Sequence, residues 1–324
     1  MSEKNQTYEL CGLKKSPLAS TFKKELCPLT SEDCDFLYAK VEGFGKHVSI
    51  IEQWFAKADN LDRSNCILIL GDKGSGRSSV ANYIARQFYL AKGIDKKISL
   101  IKSVVKNHHD LEPVRDLLGE LYNHLGQLLG KQFEENFGST KKLYHQILFS
   151  PELQNEIFPY LSLFSESLPI LNSHEYFPIV IADEIKTYQQ INSIQEVFKS
   201  FPLIIYTTDQ KEVNDVFERE KLSGNLHGFV VKLERLSSKD VHDFLSHRWT
   251  KCSAGNQPHP FDKEGIDLIF QGNQFYFKGV VTILTEIFVN YLETEKAEFG
   301  CSDISKDKML KVLGKILSYS VIFS

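Results

Sequence analysis

The stretch Gly71-Asp-Lys-Gly-Ser-Gly-Arg-Ser-Ser79 constrains this chain more than any other. It follows the apolar run Cys66-Ile-Leu-Ile-Leu70 and precedes Val80-Ala-Asn-Tyr-Ile-Ala-Arg-Gln-Phe88, which reads as a helix. A buried strand that passes through Gly71, Gly74 and Gly76 into a helix has few folds open to it. The glycines let successive backbone N–H groups converge, and the helix start adds the positive end of its dipole, so phosphate oxygens are the natural guests of such a turn. The spacing is that of a phosphate-binding loop, G-x-x-x-x-G followed by a cation and a hydroxyl, with one departure: Arg77 stands where the pattern has lysine.

A second stretch belongs with the first. Phe177-Pro-Ile-Val-Ile-Ala-Asp-Glu-Ile185 is a buried strand ending in two carboxylates, Asp183 and Glu184, at the carboxyl edge where open α/β sheets place their ligands. An apolar run followed by Asp-Glu is common by itself. About a hundred residues after a phosphate loop, it is where a magnesium-associated aspartate and a water-orienting glutamate are expected. Further strands are read at 97–105, 201–208 and 228–234, the 201–208 strand ending in Thr207-Thr208. Between them run helical stretches at 110–130, 139–149, 152–168 and 191–200. The alternation predicts an α/β fold, a three-layer α/β/α arrangement on a parallel sheet. From Ser237 onward only helices are expected, roughly 238–251, 261–270, 278–291 and 302–319. The predicted organisation is an amino-terminal extension over 1–39, an α/β domain over 40–236 and a helical lid over 237–324.

Composition narrows the function classes. A hydrophobic content of 42% and a charged content of 25% supply an ordinary globular core. The formal net charge of −4 does not support DNA binding, although a local basic patch stays open. Lys14-Lys15, Lys96-Lys97 and Lys141-Lys142 are short enough to be solvated faces. No apolar run approaches the ~20 residues of a membrane span, so a cytoplasmic protein is expected. The six cysteines show no C-x-x-C pair and His108-His109 no partner at ligand spacing, which argues against zinc and for reduced thiols.

In this order of strand, loop, Asp-Glu strand, polar-ended strand and helical tail, the chain resembles AAA+ ATPases over about residues 40–320. Gly12-Leu-Lys-Lys-Ser-Pro-Leu18 and Leu233-Glu-Arg-Leu-Ser-Ser238 are similar to stretches of initiator-type and secretion- or transposition-type (ExeA-like) bacterial and archaeal members, with Leu18 in place of a phenylalanine. The resemblance implies ATP and Mg2+ as ligands. Gly71, Asp72, Lys73, Gly74, Ser75, Gly76, Arg77, Ser78 and Ser79 would cradle phosphate, with Ser78 and Asp183 at the magnesium ion. Glu184 would act on water, and Thr207, with Thr208 as an alternative, would sense the γ-phosphate. Arg219 matches an arginine finger and Lys278 a second sensor, each also readable as an ordinary surface cation; Phe44, Gly45 and Lys46 match the segment that brackets adenine.

Arginine keeps the charge of lysine but spreads it over a wider planar fork. Binding tolerates this better than a transition state does, since transition-state charge must be placed to well within an ångström. The expected function is therefore ATP binding that controls assembly or partner contact, with slow hydrolysis. The expected partners are AAA+ or effector subunits in a homo- or hetero-oligomer. The alternatives are a non-hydrolysing AAA+ scaffold and a DNA-associated initiator- or transposition-type regulator.

Overall fold

The computed structural model describes residues 13, 18, 42–93, 100–150, 152–173, 178–253, 258–272, 275–294 and 304–322. Most of the expected extension over 1–39, and Lys46 at the level of its side chain, lie outside the described residues. The chain divides into two compact units, one of Ile51–Asp72 and Val80–Lys232, the other of Met1–Ile50, Lys73–Ser79 and Leu233–Ser324. The glycine loop beyond Asp72 groups with the helical segment.

The first unit is built on five parallel strands: β1 (Asn65–Leu70), β2 (Leu100–Val104), β3 (Ile179–Asp183), β4 (Leu203–Thr208) and β5 (Gly228–Lys232), side by side in the order β2-β3-β4-β1-β5. The inner strands are nearly continuous apolar runs because both faces are covered; β3 and β4 are buried along their whole length. At Gly228 an added Cβ would lie 1.6 Å from the Cys66 carbonyl oxygen, so β5 can pair with β1 there only through glycine. The start of β1 is pinned by Asn65, whose amide donates to the Asn60 and Arg63 carbonyls at 2.6 and 2.9 Å and accepts from Trp54 Nε1 at 2.8 Å.

Twelve helices among the described residues bear on the argument, eight of them before the last segment. α1 (Glu42–Phe55) and α2 (Ala58–Leu61) precede the sheet, and α3 (Arg77–Lys92) follows the glycine loop, starting three residues before the expected Val80. α4 (Glu112–Leu129) buries Val114, Leu117, Leu118, Leu121 and Leu125, the stripe that its sequence announced. α5 (Lys131–Phe149) begins well before residue 139, and α6 (Ile157–Ser173) continues past Pro169 rather than stopping at 168. α7 (Tyr188–Phe198) follows β3, and α8 (Lys211–Leu222), not foreseen as a helix, follows β4.

In the second unit α9 (Ser238–Cys252), α10 (Lys263–Ile269), α11 (Phe277–Thr294) and α12 (Lys306–Ile322) enclose a core of Phe244, Trp249, Phe270, Leu284 and Phe288. α9 opens on a reciprocal cap in which Ser237 and Asp240 bond each other's backbone N–H groups. Leu13 and Leu18 are buried in this core, and Leu13 forms a β-bridge with Ser253. Arg248 is fully buried with its guanidinium 4.4 Å from the Phe244 ring, and burial lowers its pKa to about 10. Among the described residues no helix is long and apolar enough to cross a membrane.

Candidate functional site

At the carboxyl end of the sheet, β3 and β4 bring Asp183, Glu184 and Thr207 together. Thr207, with no exposed surface, donates its hydroxyl hydrogen to Asp183 Oδ1 and accepts from the Glu184 backbone N–H at 3.0 Å. Glu184 is the one non-glycine residue with positive φ among the described residues, at 63°. The left-handed region disfavours a residue with a Cβ by roughly 1–2 kcal/mol, and the Thr207 bond compensates by giving its N–H a partner. The positive φ turns the chain at Glu184 directly after the strand ends at Asp183. Thr208 is committed elsewhere: its hydroxyl donates to the Ile185 carbonyl at 2.7 Å and accepts from Gln210 N at 3.0 Å. Of the two threonines only Thr207 touches the Asp-Glu pair.

Two lysines that the sequence reading passed over enter this cluster. Lys102 Nζ on β2 lies 3.1 Å from Asp183 Oδ2, and Lys186 Nζ lies 3.9 Å from Glu184 Oε2. Val104 is the register partner of Asp183, so Lys102, two residues earlier and on the same sheet face, reaches it diagonally. A lysine inside the otherwise small or aliphatic run Leu100-Ile-Lys-Ser-Val104 was the available signal. The segment carrying Lys186 is held by Gln190, which accepts from Lys186 N at 2.9 Å and donates to the Asn107 and His109 carbonyls at 3.0 and 3.2 Å. The neighbouring Thr187 caps α7 with the same glutamine.

The loop is anchored to the sheet at its first residue, since Gly71 N–H donates to the Thr208 carbonyl at 3.0 Å. Asp72 and Lys73 are exposed. Gly74 and Gly76 have φ of 89° and 97°, conformations that turn consecutive N–H groups inward and that glycine adopts without penalty. Within the second unit, Gly74 O accepts from Lys278 N at 2.9 Å, and an added Cβ at Gly74 would come to 3.2 Å from Lys278 Cβ. Lys278 is the second residue of α11, at the helix start where it was expected. The Ser75 hydroxyl is buried with no hydrogen-bond partner in the protein. Arg77 is the first residue of α3, only 7% exposed, and Ser78 and Ser79 complete the first turn. A buried cation at a helix N-terminus adds to the positive end of the dipole, which leaves this turn electrostatically suited to an anion.

The remaining expected residues lie on helices. Phe44 and Gly45 are in the first turn of α1, which is helical from Glu42 onward. Arg219 is exposed near the end of α8, with Nε bonded to the Asp215 carbonyl at 3.2 Å. Cys66 and Cys252 are buried free thiols, and burial pushes the Cys66 thiol up to about 11, well above neutral pH.

No protein-family model matches the chain, and no curated protein matches its sequence. In fold it is similar to the ORC2 protein of Aeropyrum pernix, solved as ADPNP-ADP complexes, with a TM-score of 0.55 at 13% identity over 84% of this chain and 67% of that one. It is similar also to the Aeropyrum pernix ORC1 protein in complex with DNA, with a TM-score of 0.52 at 13% identity over 84% of this chain and 65% of that one. The chain spans about two thirds of the length of these relatives. Identities this low speak for the fold alone. With a parallel sheet in the order β2-β3-β4-β1-β5, a glycine loop joining β1 to α3 and a helical segment after β5, the chain shares the fold of these Aeropyrum pernix proteins.

Proposed function

We propose that the protein binds ATP at the glycine loop, that nucleotide state governs its assembly with like subunits or its contact with a protein partner, and that it hydrolyses ATP slowly. The observation that carries this reading is the loop itself. Gly74 and Gly76 in left-handed conformations lead into a helix that begins on a buried arginine, and a buried serine hydroxyl in the turn lacks a protein partner. These features fit a phosphate chain: N–H donors, a fixed positive charge and an open hydroxyl. The ADPNP-ADP complexes of the Aeropyrum pernix neighbour support the same ligand class.

In this reading Gly71 to Ser79 hold the phosphates, Arg77 supplies the charge that lysine supplies elsewhere, and Thr207 links the γ-phosphate position to Glu184. Glu184 orients water, Arg219 serves a neighbouring subunit, Lys278 closes on the loop, and Phe44 and Gly45 flank the base. The division into a nucleotide-binding domain over 40–236 and a lid over 237–324 belongs to the same proposal. Slow turnover follows from charge placement, because a guanidinium fork cannot occupy the point between β- and γ-oxygens that a lysine ammonium takes.

Magnesium fits less well. Ser78 could supply a hydroxyl, but both Asp183 oxygens already accept from protein donors. A DNA-associated role is the second reading, favoured by the DNA complex of the ORC1 neighbour and opposed by the net charge of −4. Size-exclusion chromatography with and without ATP, run beside a phosphate-release assay, tests the proposal. A nucleotide-dependent shift in size with little phosphate released supports it; brisk release with no change in size contradicts it. Salt-dependent DNA binding of the ATP-bound form would favour the second reading.

A further inference from the structure

Carboxylates that work with a divalent ion keep their negative charge available to it. Magnesium is held by one or two carboxylates together with substrate phosphates and retained water, in near-ideal octahedral geometry. Here each carboxylate has a lysine of its own. Lys102 Nζ is 3.1 Å from Asp183 Oδ2 while Thr207 donates to Oδ1, and Lys186 Nζ is 3.9 Å from Glu184 Oε2. These four charged groups are formally neutral together. The Asp183 side chain is only 9% exposed and the Lys102 side chain 39%, so solvent screens the pair from the lysine side alone. A dication entering this cluster would lose the attraction of the carboxylates and meet two ammonium groups.

Lysine on an edge strand often guards against strand addition, and β2 is an edge strand. That role asks for an ammonium pointing to solvent. The Lys102 ammonium instead contacts a carboxylate on the neighbouring strand, and the second lysine, Lys186, is not on an edge.

We propose that Lys102, seconded by Lys186, is the resident cation of this site, so that the protein takes free ADP or ATP rather than the magnesium complex. The inference rests on the nucleotide-binding reading above and adds the form of the ligand. Lys102 is a specificity-determining residue: with its charge present the site is indifferent to magnesium, and without it Asp183 regains the need for an added cation.

Isothermal titration of the full chain with ADP and with ATP, in buffer containing either MgCl2 or EDTA, tests this. The expected dissociation constants agree within about threefold between the two buffers, and Lys102→Met weakens binding in EDTA by about tenfold, with magnesium restoring it. Lys102→Arg, which keeps the charge, retains tight binding in EDTA. Binding by the wild-type chain in MgCl2 but not in EDTA overturns the inference and leaves nucleotide binding standing. No binding in either buffer overturns both. A Lys102→Met protein as indifferent to magnesium as the wild type removes Lys102 from the account. The wild-type comparison needs no variant, so it decides the matter even if Lys102→Met does not fold.

Discussion

The glycine loop and the carboxyl end of the sheet depart from the same pattern in complementary ways. The loop keeps its shape, with Gly74 and Gly76 in left-handed conformations, and changes its cation to Arg77. The sheet end keeps both acids, Asp183 and Glu184, and changes their company, setting Lys102 and Lys186 beside them. One region preserves backbone geometry and the other side-chain identity, while in both the charges differ from the pattern. Backbone N–H groups suffice to hold phosphate, whereas cleavage depends on where charges lie as it develops. On the proposed function, this difference would let recognition and turnover separate within one fold.

The comparison can be broken at the sheet end first. Thr207→Val keeps the volume and removes the hydroxyl shared by Asp183 and the Glu184 N–H, leaving two polar groups short of a partner in a buried place. The expected loss is about 3 kcal/mol of stability, read as a lower urea midpoint, and an unchanged midpoint would remove Thr207 as the organiser of the pair. The loop is next. Gly74→Val forces a β-branched residue to φ near 89° and crowds Lys278 Cβ, for a loss of about 2 kcal/mol. Nucleotide binding should fall with it, and titration of the folded variant separates the two losses.

Arg77→Lys sharpens the contrast. It restores the usual cation, and ATP turnover is expected to rise about tenfold, equivalent to roughly 1.4 kcal/mol in the barrier, with stability almost unchanged. A steady-state rate equal to that of the wild type would show that the charge position is not limiting.

A further test lies away from both regions and serves as a control. Burial, with His242 adding repulsion, lowers the pKa of His259 to about 4. His242 stacks on it at 5.9 Å and itself faces Asp267 Oδ1 at 3.4 Å. The neutral ring is favoured in the folded chain, so its stability contribution is intact above pH ~6.5, the ordinary histidine value, and declines as pH falls toward 4. His259→Gln should flatten the fall in urea midpoint between pH 7 and pH 5 without touching nucleotide affinity.

Much of the fold was legible because its signals are local. Strands buried on both faces leave continuous apolar runs, and the leucines of α4 recur at the helical period whatever packs against them. The glycine loop and the Asp-Glu strand end were legible for the same reason. What escaped depends on competing or distant terms. Glycine disfavours helix, yet α1 runs through Gly43 and Gly45 and buries Val48, Ile51 and Phe55 further along, a case of packing overriding propensity. α8 is polar apart from Val213, Phe217 and a few others, too sparse an apolar face to announce itself. Pro169 suggested a helix end, but α6 continues past it. Lys102 meets Asp183 only because β2 lies beside β3; the two are 81 positions apart in the chain. No local pattern carries that adjacency.

The most direct measurement of the central claim pairs ATP affinity with ATP turnover on the same preparation of the full chain. The account predicts measurable binding by equilibrium titration, slow phosphate release, and a further drop in that release for Glu184→Gln with affinity retained. Fast release by the wild type that Glu184→Gln leaves untouched would contradict it.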